Sequence, residues 1–399
     1  MKEIVYGWNY RDWGGAQRYF LSLIPEASKQ YKISIALPDG SSPAVIAEAE
    51  RLGASVHFIP GQFDLKRDLR GIKRSLQRLS KIAADFRFIK AFYKKFDSKV
   101  SILHLDLGFW NSFWIVFILA LRFNVFFTIH TPIGVRSGLR ANLWRLKGRT
   151  VGRLPTMHFL ASNRTAKDSL ESFIPAEKYE NVVVVYSGAG REEIDSVIKK
   201  GGSRESVRRA IGIGDSDFLI VLVGQFIERK GSRVLLEALP ELTVRIKNLH
   251  VVWLTMNKPD PAMAKQVAEA TARGSFRLVD GNDVGGRMGV LKIQWAADLF
   301  ILPSLEEGLP MALIEAMFLG RPCLASDVGA VSEAIEHNLS GKLVPAGDLS
   351  ALIDEITDLS RDSRSAKAFG ARAREKAIRD FDMAEAAKVN TNAYSAALK

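Results

Sequence analysis

Residues 301–326, ILPSLEEGLPMALIEAMFLGRPCLAS, restrict what this chain can fold into more than any other stretch, because they read as strand, turn, helix, turn and strand in unbroken succession. A short apolar strand over 298–302 is stopped by Pro303-Ser304. Pro310 suits the first helical position, where its missing N–H would be unpaired anyway. Gly320 can adopt the left-handed conformation that ends a helix, and Pro322 prevents resumption. Between them the helix is apolar on every face, so it should be buried all round. Only Glu315 interrupts it. A buried carboxylate without donors is costly, so Glu315 needs main-chain amides, a base or the hydroxyls of a ligand.

Glu315 lies five positions after Pro310, about 7.5 Å along the axis at 1.5 Å per residue. Helical side chains lean toward the N-terminus, so the carboxylate should point back at the turn holding Glu307 and Gly308. That turn is where a helix offers free N–H groups and positive dipole to a phosphate. It is also the carboxyl end of a strand, where open α/β sheets bind ligands. A carboxylate for hydroxyls beside N–H groups for phosphate describes a site for a ribosyl diphosphate. A capping Glu307 and a salt-bridged Glu315 would account for the same residues without a ligand, and the chemistry alone leaves both readings open.

The rest of the chain supplies the frame. At 399 residues it exceeds one ordinary core, so two domains are expected. Strand-like runs at 3–6, 33–37, 56–59, 101–105, 125–129, 157–161, 182–186, 218–223, 251–254 and 277–280 alternate with helical ones, which implies doubly wound α/β domains. Most are continuously apolar, as parallel strands covered on both faces should be. The single cysteine, Cys323, allows no intrachain disulfide and sits in a predicted core strand. The N-terminus reads as a first strand rather than a signal peptide. The most apolar run, 109–127, is too short to span a membrane and reads as a buried helix and strand.

Charge is unevenly placed. Residues 1–185 hold 28 Lys and Arg against 15 Asp and Glu, while residues 186–399 hold 28 against 29. The excess points to an anionic membrane surface or an anionic acceptor for the first half. Within it, Leu65, Leu69, Ile72, Leu76, Leu79 and Ile82 recur at amphipathic helical spacing. Lys66, Arg67, Arg70, Lys73, Arg74, Arg78 and Lys81 lie opposite, with aromatic residues following, a pattern shared by solvated charged faces and interfacial helices. No nucleic-acid module accompanies the stripe, so no nucleic-acid partner is expected. Trp13-Gly14-Gly15 after the first strand would let a phosphate or an acceptor approach closely.

Glu307, seven intervening residues and Glu315, set in PSLEEGLPMALIEAMFLGRPCLAS and followed by DVGAVSEAIEHNLSGKLVPAGD, closely resemble the signature of the retaining GT-B glycosyltransferases of family 4. The resemblance is clear over 217–350 and weaker over 1–180. It implies two Rossmann-like doubly wound domains facing across a cleft. Their expected bounds are 1–190 (acceptor side) and 191–380 (nucleotide sugar), with a helix over 381–399 crossing back to the first.

The implied activity is retaining transfer from a UDP- or GDP-linked sugar to a glycan or lipid-linked acceptor, in cell-surface polysaccharide or lipopolysaccharide synthesis. The implied location is cytoplasmic, peripheral on the cytoplasmic face of the membrane. No cofactor and no metal are expected. The resemblance gives Lys230 the donor diphosphate, with neighbouring Arg229 replacing the charge lost where Gln225 stands for the family's Arg. It gives the amides at Gly308 and Leu309 to the same phosphate, Glu315 to the ribose, Glu307 to the donor sugar and the main chain at Gly281 to the base. His130 would contact the sugar, and the Gly14-Gly15 loop would complete the site. Ser187 and Thr255 also depart from the pattern, which keeps two other readings open: a scaffold of the same fold that has lost catalysis, or a nucleotide-sugar epimerase. Asp215-Ser216-Asp217 and Gly212-Ile213-Gly214 mimic metal and dinucleotide motifs but precede a strand, so they read as a turn.

Overall fold

A computed structural model of the chain describes residues 2–8, 11, 15–60, 71–106, 112–130, 132–133 and 138–398. The apolar runs form strands β1 (Glu3–Gly7), β2 (Lys32–Pro38), β3 (Ser55–Ile59), β4 (Ser101–Asp106), β5 (Asn124–Ile129), β6 (Met157–Ala161) and β7 (Val183–Val184). Then follow β8 (Phe218–Val223), β9 (Leu249–Thr255), β10 (Phe276–Asp280), β11 (Leu299–Leu302), β12 (Cys323–Ser326) and β13 (Lys342–Val344). Among the described residues they make two parallel sheets, ordered β3-β2-β1-β4-β5-β6-β7 and β10-β9-β8-β11-β12-β13. Parallel neighbours need long crossovers, and helices supply them on both faces, which is why the strands are apolar without alternation.

The chain divides into two units, Met1–Ser187 with Met383–Lys399, and Gly188–Asp382. In the first, Phe88, Phe92, Leu119 and Phe127 pack one face of the sheet, while Tyr6, Phe20, Phe126 and Tyr394 pack the other. The last helix, Met383–Ala397, belongs to that second layer and lies on the helix Gly15–Ala27. Tyr19 donates to Asn390 Oδ1 at 3.1 Å, and His104 pairs with the Tyr394 hydroxyl and with Thr128 Oγ1. In the second unit, Leu222, Leu235, Trp253 and Ile301 build one layer, and Leu219, Val252 and Ile293 the other.

Three local expectations change. The predicted strand over 182–186 shrinks to two residues at the sheet edge. Pro310 is the residue before the helix Met311–Phe318, with extended φ −77° and ψ 117°, rather than its first member. Gly320 follows with φ +68° and closes the helix as expected. The long basic helix, Gly71–Lys95, buries Phe88, Ile89 and Phe92 but leaves Leu79 and Ile82 exposed. Leu79 and Ile82 are thus apolar positions of the stripe that the core leaves uncovered. Leu65, Leu69, Lys66, Arg67 and Arg70 lie outside the described residues. No helix among the described residues is long and apolar enough to cross a membrane, and the apolar run over 113–129 is the helix Phe113–Ala120 followed by β5.

Candidate active site

The second sheet reverses its order between β8 and β11: β8 leads outward through β9 to β10, and β11 through β12 to β13. Loops leaving such a pair diverge and open a crevice at the carboxyl edge. After β8 the chain enters a single 3-10 turn, Glu228–Lys230, and after β11 it turns through Pro303 into the helix Met311–Phe318. Lys230 Nζ donates to both oxygens of buried Glu307, at 2.6 and 2.8 Å, and Ser304 Oγ donates to Glu307 Oε1 at 2.7 Å.

Two glycines make that approach sterically feasible. Gly231 has φ +78°, and a Cβ there would lie 1.9 Å from the Pro303 carbonyl oxygen. Gly329 has φ +58°, and its Cβ would lie 1.9 Å from the Glu307 carbonyl oxygen. The Glu307 loop is therefore gripped by bare backbone from both sides. Arg229 adds a third hold: its Nη1 donates to Glu306 O at 3.0 Å, and its own carbonyl accepts from Leu305 N at 2.9 Å. The amides of Gly308 and Leu309 donate to no partner among the described residues.

Glu315 is buried, as an acid in an all-apolar helix must be, and it has found a base. Arg287, in the first turn of the helix Gly286–Ala296, donates from Nη1 to Glu315 Oε1 at 2.7 Å. Its other edge holds Glu193 of the helix Arg191–Lys200, with Nε and Nη2 at 2.8 and 2.7 Å. Burial disfavours the guanidinium charge, and the two carboxylates more than offset this, raising its pKa. Glu315 Oε2 has no partner among the described residues and is not one of the enclosed, unsatisfied atoms. One oxygen is thus spent internally and the other faces accessible space.

Residues 217–362 match the family described as glycosyl transferases group 1. The chain carries a glycosyltransferase group 1 domain. It is 28% identical over 235 residues to a D-inositol 3-phosphate glycosyltransferase of Nocardia farcinica, covering 56% of this chain and 51% of that one. It is 23% identical over 190 residues to an Escherichia coli UDP-Gal:alpha-D-GlcNAc-diphosphoundecaprenol alpha-1,3-galactosyltransferase, covering 45% and 46%. The match therefore spans about half the length of each relative. The fold is GT-B: the crystal structure of Anabaena Alr3699/HepE in complex with UDP superposes with TM-score 0.75 at 16% identity, covering 99% and 100% of the two chains.

Within the glycosyltransferase domain the structure places Lys230, Arg229, Glu307, Gly308, Leu309 and Glu315 on the two loops at the sheet reversal and the helix that follows. Arg229 and Gly281 each have partners within the chain. Arg229 is an exposed loop anchor, one of its guanidinium donors engaged with Glu306 O. Gly281 spends its N–H on Thr255 O at 2.8 Å, and its carbonyl accepts from Gly286, so its amide is not available to a base.

In the first unit, His130 follows β5 with its ring edge-on to Tyr19, centroids 4.8 Å apart. Its Nε2 is enclosed without a partner among the described residues, and burial lowers its pKa to about 4, so it is neutral near pH 7. His158 stacks on Phe126 and reaches Asn124, a structural role. Gly14 lies outside the described residues; Gly15 begins the helix after β1. Sequence reasoning missed Arg287, Ser304 and Asn257. Asn257 Oδ1 accepts from Phe226 N at 2.8 Å and from Thr255 Oγ1 at 2.7 Å, clasping the loop after β8. Ser304 stands three residues before Glu307 and could have been suspected; Arg287 has no local signal.

Proposed function

We propose that the protein is a retaining glycosyltransferase that moves a sugar from a UDP- or GDP-linked donor to a glycan or lipid-linked acceptor in cell-surface polysaccharide or lipopolysaccharide synthesis. The observation that carries this is the arrangement at the second sheet's reversal: Lys230 on Glu307, free amides at Gly308 and Leu309, and one available oxygen on buried Glu315. The E. coli relative is named for UDP-Gal and a diphosphoundecaprenol-linked GlcNAc, which supports a nucleotide-sugar donor and a lipid-linked acceptor. UDP in the HepE complex favours uridine over guanosine.

On this reading the donor diphosphate takes over Lys230 and the amides of Gly308 and Leu309, whose preset charge stabilises the leaving group. Glu307 is released toward the sugar, and Glu315 takes the ribose hydroxyls. The bond from C1 to the leaving phosphate breaks as the acceptor oxygen bonds C1 on the same face, and a leaving-phosphate oxygen receives the acceptor's proton. No side chain is required as base, and no metal is assigned to the site.

The test is turnover of a panel of nucleotide sugars with lipid-linked and glycan acceptors, with the product anomer read by NMR. The expected product keeps the donor's configuration. An inverted product would refute retention, isomerised free donor would establish the epimerase reading, and binding without turnover would establish the scaffold reading.

We also propose that the first unit docks on an anionic membrane, peripherally on the cytoplasmic face. Leu79 is 64% exposed and Phe86 47%, with Ile82 between them on the same helical face. Phe86 stands against exposed Trp114, ring centroids 6.2 Å apart. An apolar stripe beside a cationic excess is the composition of an interfacial helix. The variant Leu79→Glu/Ile82→Glu/Phe86→Glu is expected to lose at least ~10-fold in partition to vesicles containing phosphatidylglycerol, because three apolar insertions are replaced by repelled anions. Flotation measures it; unchanged partition, or equal binding of the parent chain to neutral phosphatidylcholine vesicles, would refute the surface.

A further inference from the structure

We infer that Arg287 is a positioning residue that sets Glu315 for the nucleotide ribose and links it to the first helix of the second unit. The inference rests on the ribose assignment of Glu315 and deepens it. The starting point is an unfavourable placement. Arg287 lies in the first turn of its helix, behind Gly285 and Gly286 at φ +92° and +64°, where the helix dipole disfavours a cation. Two carboxylates offset that cost. The guanidinium meets Glu193 with two donors and Glu315 with a third, so its fork is fully oriented. Glu193 belongs to the helix Arg191–Lys200, which starts three residues past the Gly188 boundary of the unit. That helix is fixed in turn by Asp195, which accepts from Arg374 at 2.6 Å.

The consequence for Glu315 is chemical. Its Oε1 is held in place by the guanidinium, so Oε2 is presented as a fixed acceptor. One guanidinium against two carboxylates leaves the cluster anionic. An anionic acceptor welcomes hydroxyl donors and repels phosphate. With Lys230 on Glu307 and the Gly308 and Leu309 amides in the loop that leads into the same helix, the cluster orients the nucleotide: ribose at Glu315, diphosphate at Lys230. Arg287 touches no ligand in this account and acts through Glu315.

The experiment compares UDP with 2′,3′-dideoxy-UDP by calorimetry on the whole chain, and GDP with its dideoxy form if guanosine binds more tightly. A hydroxyl bonded to a carboxylate should give the parent chain about a 10–100-fold preference for the ribo form. Glu315→Gln should lose most of that preference. Arg287→Gln should lose most of it as well, while its affinity for the dideoxy form changes less than about twofold. That unchanged affinity is what a general loss of structure would not leave. Arg287→Lys, which keeps a cation but not the fork, should restore part of the preference, and Glu193→Gln should lower it by a smaller factor. These two variants carry the comparison if Arg287→Gln does not fold. Full preference in the Arg287 and Glu193 variants with loss in Glu315→Gln would overturn the positioning role alone. Full preference in Glu315→Gln would remove the ribose assignment and this inference with it.

Discussion

Lys230→Ala should lower turnover by about 10²–10³-fold, the usual cost of removing one preset charge from a developing anion. The effect should fall mainly on kcat, because charge accumulates on the leaving diphosphate as the bond to C1 breaks and Lys230 gains most at that moment. A second consequence follows from the pairing with Glu307. Deleting Lys230 leaves Glu307 buried with Ser304 as its remaining donor among the described residues, and a buried carboxylate stripped of its cation destabilises its surroundings. Lys230→Ala/Glu307→Gln should therefore melt higher than Lys230→Ala while remaining as slow. Steady-state kinetics and thermal melting separate the two effects. A Lys230→Ala chain with parental kcat would show that the diphosphate is neutralised elsewhere.

Gly329→Ala should be among the most damaging single-methyl changes in the second unit. The residue sits at φ +58°, a strain of about 1–2 kcal/mol for any side chain. Its Cβ would also fall 1.9 Å from the Glu307 carbonyl oxygen. Relieving that overlap moves the loop and adds about 1–3 kcal/mol. Gly212→Ala is the control, because its φ is +68° but nothing lies within 4 Å of the added carbon. In a unit of this size each kcal/mol lowers the melting temperature by about 2–4 °C. Gly212→Ala should thus cost a few degrees with activity kept, while Gly329→Ala should cost roughly twice that and abolish turnover, because Glu307 and the Gly308 amide move with the loop. Equal melting temperatures for the two variants would show that the loop yields without cost.

What could be read from residue order alone was whatever is written in local periodicity and punctuation. Continuous apolar runs identified nearly every strand, since a parallel strand covered on both faces has no alternation to hide it. Pro303 stopped the strand, Gly320 and Pro322 ended the critical helix, and a lone acid in a greasy helix marked Glu315 as a residue in need of a partner. The partner itself was not legible. Arg287 lies 28 positions away and meets Glu315 only because the strand order brings two helix starts to one edge. Nothing local to Gly329 shows that the Glu307 carbonyl lies against it. Leu79 and Ile82 had the spacing of a core face, yet spacing records only that residues share a side, and the length of the core underneath decides which of them are covered. Short-range order is encoded by dihedral preference and hydrophobic period, whereas charge pairing and burial depend on distances across the fold that only the folded chain sets.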